Sequence, residues 1–184
     1  MKKRCFWVSD DPIYIKYHDE EWGIPVHDDY KHFEFIVLES AQAGLSWITI
    51  LKKRENYKKA YENFDFKKVA LYDSQKIDML LKDEGIVRNR KKIEASINNA
   101  KAFIKIREEF GTFDKYIWSF SNGEVVKSNF KSYHEIPTKT KLSDDISKDL
   151  KKRGFKFIGT TIIYSYLQAV GIVEDHEADC FKKV

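Results

Sequence analysis

Cysteine and proline are scarce in this chain. Two cysteines and three prolines occur among 184 residues, and no uninterrupted apolar run approaches the roughly 20 residues that span a bilayer. Too few cysteines for a disulfide scaffold and no membrane-length segment leave a globular chain with no membrane partner. The first residues, MKKRCFWVSDD, are basic but lack the apolar core and small-residue cleavage site of a secretory signal. The expected compartment is therefore the cytoplasm, where thiols stay reduced. One-sided charge is missing too: 33 basic residues against 29 acidic ones leave a net charge of +4, which permits a polyanionic partner without demanding one. The densest basic runs, LKKREN, RNRKK and LKKRGFK, read individually as solvated helix faces.

Aromatic residues, by contrast, are plentiful. At 15% aromatic and 42% hydrophobic, the composition excludes a disordered chain, and the length suits one compact unit over residues 1–184. Apolar residues recur at helical spacing over about 30–43, 46–63, 66–72, 74–82, 89–110, 143–153 and 160–170, which predicts an all-α fold. Ser74 and Ser143 are expected N-caps, and Gly111, Gly154 and Gly171 expected C-terminal stops. The stretch from SNGEVVKSNF to IPTKTKL reads as irregular and mobile, with a short hairpin at Asn122-Gly123. No internal repeat or low-complexity linker is visible, and nothing points to an obligate protein partner.

Cys5 and His18 near one end and His176 and Cys180 near the other make a Cys2His2 set. Thiolate sulfur and imidazole nitrogen suit tetrahedral zinc, and four protein ligands would make it structural, a tie between two termini. The spacing alone equally allows ordinary buried residues; a Cys5–Cys180 disulfide is disfavoured by a reducing compartment.

Trp7, Tyr14, Tyr17, Trp22 and Trp47 crowd into one quarter of the chain, and the helical face of Phe35, Ile36 and Ala43 carries Glu39. A carboxylate in an apolar stripe needs a partner. Beside aromatic faces it suits a flat cationic ring with N–H donors, although a capping role or a lysine partner would also satisfy it.

LSDDISKDLKKRGFKFIGTTIIYSYLQAVG reads as helix, short link, helix over about 143–171. The free N–H groups of the second helix, at Gly159 and Thr160, can hold a phosphate with help from Arg153 and Lys156.

The stretches YHDEEWG, LESAQAGLSWITILKKREN and LKKRGFKFIGTTI, with both ends of the chain, resemble the 3-methyladenine DNA glycosylase I family over essentially the whole length. The resemblance implies an all-helical helix-hairpin-helix glycosylase fold and excision of 3-methyladenine from alkylated double-stranded DNA, giving the free base and an abasic site. It implies one structural zinc on Cys5, His18, His176 and Cys180. It makes Glu39 the carboxylate that meets the flipped base, with Tyr17 and Trp47 as stacking walls, Trp7 at the edge, and Tyr14, Trp22 and Ser165 as further pocket residues. Bifunctional relatives carry a lysine nucleophile where this chain has Thr160 or Thr161, so the expected enzyme is monofunctional, without lyase chemistry. Asp175 and Asp179 are assigned no catalytic role. Gly44 and Leu45 form a candidate wedge into the duplex. A non-catalytic, zinc-stabilised helix-hairpin-helix DNA-binding module is the alternative expectation.

Overall fold

The computed structural model describes residues 2–184, so that of the expected unit only Met1 lies outside the described residues. Nine α-helices appear among them: α1 Pro12–Glu20, α2 Asp29–Gln42, α3 Trp47–Ala60, α4 Phe66–Val69, α5 Ser74–Leu80, α6 Arg90–Phe110, α7 Phe113–Ser119, α8 Lys141–Lys152 and α9 Thr160–Ala169. The helical expectation holds, with one departure. β1 Val126–Lys127 pairs in parallel with β2 Val173–Glu174.

The middle of the molecule is α2. Nine of its residues, from His32 to Ala41, are buried, because neighbouring helices cover it on several sides; α3, α6, α7 and α9 all pack on it. A helix enclosed this way reads as nearly continuous apolar sequence, and FEFIVLESA does. Beneath it Phe103 stacks on Phe113 with ring centroids 4.2 Å apart and also meets Phe33 at 5.4 Å. His32, fully buried, satisfies both ring nitrogens, with Tyr166 Oη 2.7 Å from Nδ1 and Asp114 Oδ1 3.1 Å from Nε2. α8 and α9 pack together across the 153–159 link, forming the expected helix-link-helix.

Several sequence expectations are corrected. α1 and α7 were not foreseen, although each has a clear start: Asp11 caps α1 ahead of Pro12, and the Thr112 hydroxyl accepts from the Lys115 N–H. Ser74 and Ser143 lie inside their helices, whose caps are Asp73 and Thr140; Ser143 instead completes a capping box with Thr140. Asn122 and Gly123 both have positive φ, but no hairpin follows. The Gly123 N–H closes on Trp118 O at 2.9 Å, ending α7, and the chain then runs beside β2 in parallel. Gly171, at φ +70, needs to be glycine, since a Cβ there would lie 2.3 Å from the Ile24 carbonyl carbon.

Candidate active site

The first three helices present one residue each to a common cavity of about 480 Å³: Tyr17 from α1, Glu39 from α2 and Trp47 from α3. Trp7, Tyr14, Trp22 and Ser165 line it as well, so all seven residues proposed for base binding are brought together. Glu39 is 3% exposed and its Oε2 has no hydrogen-bond partner; neither does the buried indole Nε1 of Trp47. Burial pushes the Glu39 carboxyl up to about 8. A buried acceptor and a buried donor left open on one cavity is a costly arrangement, and it fits a polar planar guest.

Tyr17 and Trp47, the expected stacking walls, stand next to each other at the cavity, with ring centroids 5.6 Å apart and planes at 55°. Trp7 lies beside Tyr17 at 6.3 Å and is edge-on to Tyr14 and to Trp22, with centroids 5.1 Å away in each case.

Part of the wall escaped the sequence reading. The segment expected to be mobile holds a short 3-10 turn, Tyr133–Glu135, and contributes Tyr133, His134, Ile136, Pro137 and Thr138 to the cavity. Its only sequence signal was a Tyr-His pair within a polar loop. Gln42, Thr161, Tyr164 and Gln168 also line it. Behind them the buried Asp175 carboxylate accepts from the Tyr164 hydroxyl, from Gln168 Nε2 at 2.8 Å and from Ser128 Oγ at 2.6 Å. That carboxylate is fully engaged. Asp179 is on the surface, paired with Lys3.

A shallower hollow of about 180 Å³ adjoins the cavity, sharing Glu39, Gln42, Thr161 and Ser165 with it and adding Gly44 and Leu45. Leu45 is 41% exposed at the tip of the α2–α3 turn, and a Cβ on Gly44 would meet nothing. This hollow thus lies between the turn and the start of α9. Gly159 caps α9 with no side-chain bond, leaving its first N–H groups available, while the Thr160 hydroxyl lies 2.9 Å from Ser143 Oγ. Lys156 is exposed, its backbone clamped at both N–H and C=O by Asn99 at 2.7 and 2.9 Å. Arg153 does not stand free for a phosphate. Its guanidinium pairs with Glu109 at 2.6 Å and Asp149 at 2.7 Å and lies over Phe110 and Tyr116, so its observed role is to join α8 to α6 and α7.

At the far side of Trp7 and Trp22 the two chain ends converge. Cys5, His18 and Cys180 are buried with their ligand atoms within 4.8 Å of one another. His18 Nε2 lies 3.4 Å from Cys180 Sγ, and the His176 ring stands edge-on to His18 at 5.3 Å. Each imidazole has Nδ1 against a carboxylate, Asp19 at 2.8 Å and Glu174 at 2.6 Å. A carboxylate only accepts, so Nδ1 carries the proton and Nε2 presents its lone pair; that of His176 is buried with no partner. Cys5, His18 and Cys180 are thus close enough to share one metal ion, and the open Nε2 of His176 is a donor of the type that would complete a tetrahedral set. Gly23, at φ +78, accommodates the ring, since a Cβ would come 2.7 Å from His176 Cε1.

Residues 7–183 match the family model described as methyladenine glycosylase. The chain is 51% identical over 178 residues to DNA-3-methyladenine glycosylase 1 of Escherichia coli (strain K12), covering 97% of this chain and 95% of that protein. A crystal structure of a 3-methyladenine DNA glycosylase I superposes with a TM-score of 0.96 at 49% identity, covering 99% of this chain and 100% of that one. A variant of a 3-methyladenine DNA glycosylase I in complex with 3-methyladenine superposes at 0.95 with 40% identity, over 98% and 97% of the two chains. With its aromatic cavity, its buried glutamate and a match running almost end to end, the chain belongs to the methyladenine glycosylase family.

Proposed function

We propose that this protein is a monofunctional DNA glycosylase that hydrolyses the N-glycosidic bond of 3-methyladenine in alkylated double-stranded DNA, releasing the base and leaving an abasic site. The observation that carries the reading is Glu39: a buried carboxyl with an open oxygen in a ring-lined cavity. Methylation at N3 leaves adenine formally cationic, so the bond to the sugar is weakened before the enzyme acts. A nucleobase inside a duplex is out of reach, so the nucleotide turns outward, at less cost for a damaged base than a sound one. Inside the cavity the cation meets aromatic faces and the Glu39 carboxylate, which neutral adenine cannot exploit equally. Bond electrons leave with the base and cancel its positive charge, while water adds to the sugar carbon and loses a proton. Glu39 recognises the base and stabilises charge, and a strong general acid is not required.

Monofunctional chemistry is supported by the cavity wall. Among the described residues no lysine lines it, and of Thr160 and Thr161, which stand in place of the lysine of bifunctional relatives, Thr161 lines the cavity. Cys5, His18, His176 and Cys180 would hold one structural zinc, which takes no part in the reaction. Gly159, Thr160 and Lys156 would meet the DNA backbone, and Leu45 would fill the gap left by the extruded base.

The test is release of free base from methylated duplex DNA by the purified protein. 3-Methyladenine should appear, in amounts that depend on Glu39. Binding to the duplex without release would favour the non-catalytic DNA-binding module.

A further inference from the structure

The run RNRKK opens α6 with three cations in succession, Arg90, Lys91 and Lys92, and no acidic residue in the first turn. Cations at a helix N-terminus oppose the macrodipole, so this turn is unfavourable for its own helix. Arg90 is compensated by Asp78 at 2.7 Å and Glu94 at 3.6 Å, and Lys91 is exposed to solvent. Lys92 has neither remedy. Among the described residues it forms no ion pair. Its Nζ instead donates to two backbone carbonyls at the C-terminal end of α2, Ala41 O at 2.8 Å and, at the C-cap, Ala43 O at 2.6 Å.

Those carbonyls belong to the helix end that leads into the Gly44–Leu45 turn. The α2 C-cap, Ala43, makes no capping bond through its own N–H, and the turn has one backbone closure of its own, Leu45 N–H to Gln42 O at 2.6 Å. Gly44, at φ +80 with open space around it, gives no stiffness. What remains to hold the turn is the lysine. Its charge sits at the negative end of α2, where a cation is favourable, and its two bonds bracket the residues at which the chain leaves the helix. The same turn separates Glu39, one helical turn before it, from Trp47, the first residue of α3.

We propose that Lys92 is a positioning residue that, through the Ala41 and Ala43 carbonyls, fixes the Gly44–Leu45 turn so that Leu45 enters the duplex as a rigid wedge. This rests on the glycosylase reading, in which an apolar side chain replaces the extruded base. Lys92 touches neither base nor cavity, so its effect is confined to steps that need the duplex opened.

A double-mutant cycle on the full chain tests this. Lys92→Met should lower kcat/KM for base release from methylated duplex by about tenfold, the scale expected when a charged donor loses its bonds. Affinity for free 3-methyladenine should stay within about twofold, because the cavity is not altered. Lys92→Arg, which can still donate to both carbonyls, should recover most of the loss. In a Leu45→Ala background, Lys92→Met should add less than about a further twofold, since both changes remove the same wedge. Independent, multiplying losses would overturn the proposal, as would an equal fall in free-base affinity or no loss at all. Should the methionine variant not fold, Lys92→Gln, which keeps one donor, takes its place in the cycle. Absence of base release by the unaltered protein would sink the glycosylase reading instead. Fluorescence of 2-aminopurine placed beside an abasic site would then report Leu45 insertion directly, and an unchanged signal in Lys92→Met would refute the positioning role.

Discussion

Trp22 and His176 meet edge to face, with ring centroids 4.6 Å apart, so one wall of the base cavity is also a wall of the Cys/His cluster. Trp7 repeats the relation with His18 at 5.4 Å. A zinc held by the four residues would therefore do more than tie two chain ends: it would fix the imidazoles against which both indoles pack.

Replacing Cys180 by serine, or stripping the metal with a chelator, should then weaken the cavity as well as the fold. The expected signature is loss of about one zinc per chain, a lower Tm, and binding of free 3-methyladenine weakened by about tenfold or more. Metal analysis, thermal unfolding and calorimetry measure the three. Full base affinity in a folded, metal-free protein would disconnect the cluster from the cavity.

Glu39 gives the activity a definite pH dependence. With its carboxyl pushed up to about 8 by burial, the empty enzyme is mostly protonated at neutral pH, whereas a cationic base requires the anion. Because kcat/KM reports the ionisation of the free enzyme, it should rise about tenfold per pH unit up to about pH 8 and level off above. Glu39→Gln should lower the plateau and flatten the profile. A wild-type profile flat from pH 6 to 8 would show that the anion is not the form that acts.

The same burial works against the empty fold. Below its ordinary value of 4.5 the Glu39 carboxyl holds its proton in both folded and unfolded chains, so it contributes nothing. As pH rises from there toward about 8, the unfolded chain releases the proton and the folded one keeps it, so stability falls across that window. Glu39→Gln should accordingly be more stable than the parent at neutral pH, on the order of a few kcal/mol, with the gap closing toward pH 4.5. Denaturant unfolding of both proteins over that range is the measurement. A constant gap would assign the gain to packing.

What could be read from the sequence was what repeats or stands out of pattern. The apolar period gave the long helices, and Glu39 was visible because it interrupts that period inside FEFIVLESA. Burial supplied the rest of its character, which no period encodes. The cavity wall at Tyr133, His134 and Thr138 has no period: those residues reach the site because β1 pairs with β2 and brings the irregular segment back to the other side. The partners of Arg153 are hidden in the sequence for a related reason. A basic residue beside a hairpin suits a phosphate, but Glu109 and Asp149, supplied by α6 and α8, already engage it. α1 was overlooked because Tyr14, Tyr17 and Trp22 read as an aromatic cluster, although Asp11-Pro12 announced a helix start.

The helices that carry the site are clamped in a neighbouring hollow that Tyr17 also lines. Arg54 of α3 donates to Glu34 of α2 at 2.7 Å and in bidentate fashion to Glu21, the C-cap of α1, at 2.6 and 2.9 Å. Its side chain is 15% exposed, and Lys31 closes the network by pairing with both carboxylates. Tyr17, Glu39 and Trp47 sit on the same three helices. Removing one partner of a largely buried cluster costs more than the pair contributes, because the remaining charges stay desolvated. Arg54→Met leaves the two carboxylates to share Lys31 alone and should lower unfolding free energy by about 2–3 kcal/mol, whereas Arg54→Lys, which keeps the charge but not the fork, should lose less. Denaturant titration orders the three proteins. If the methionine variant matched the parent, the network would be a surface ornament, and the spacing of the three site-bearing helices would have to come from the apolar contacts of α2 alone.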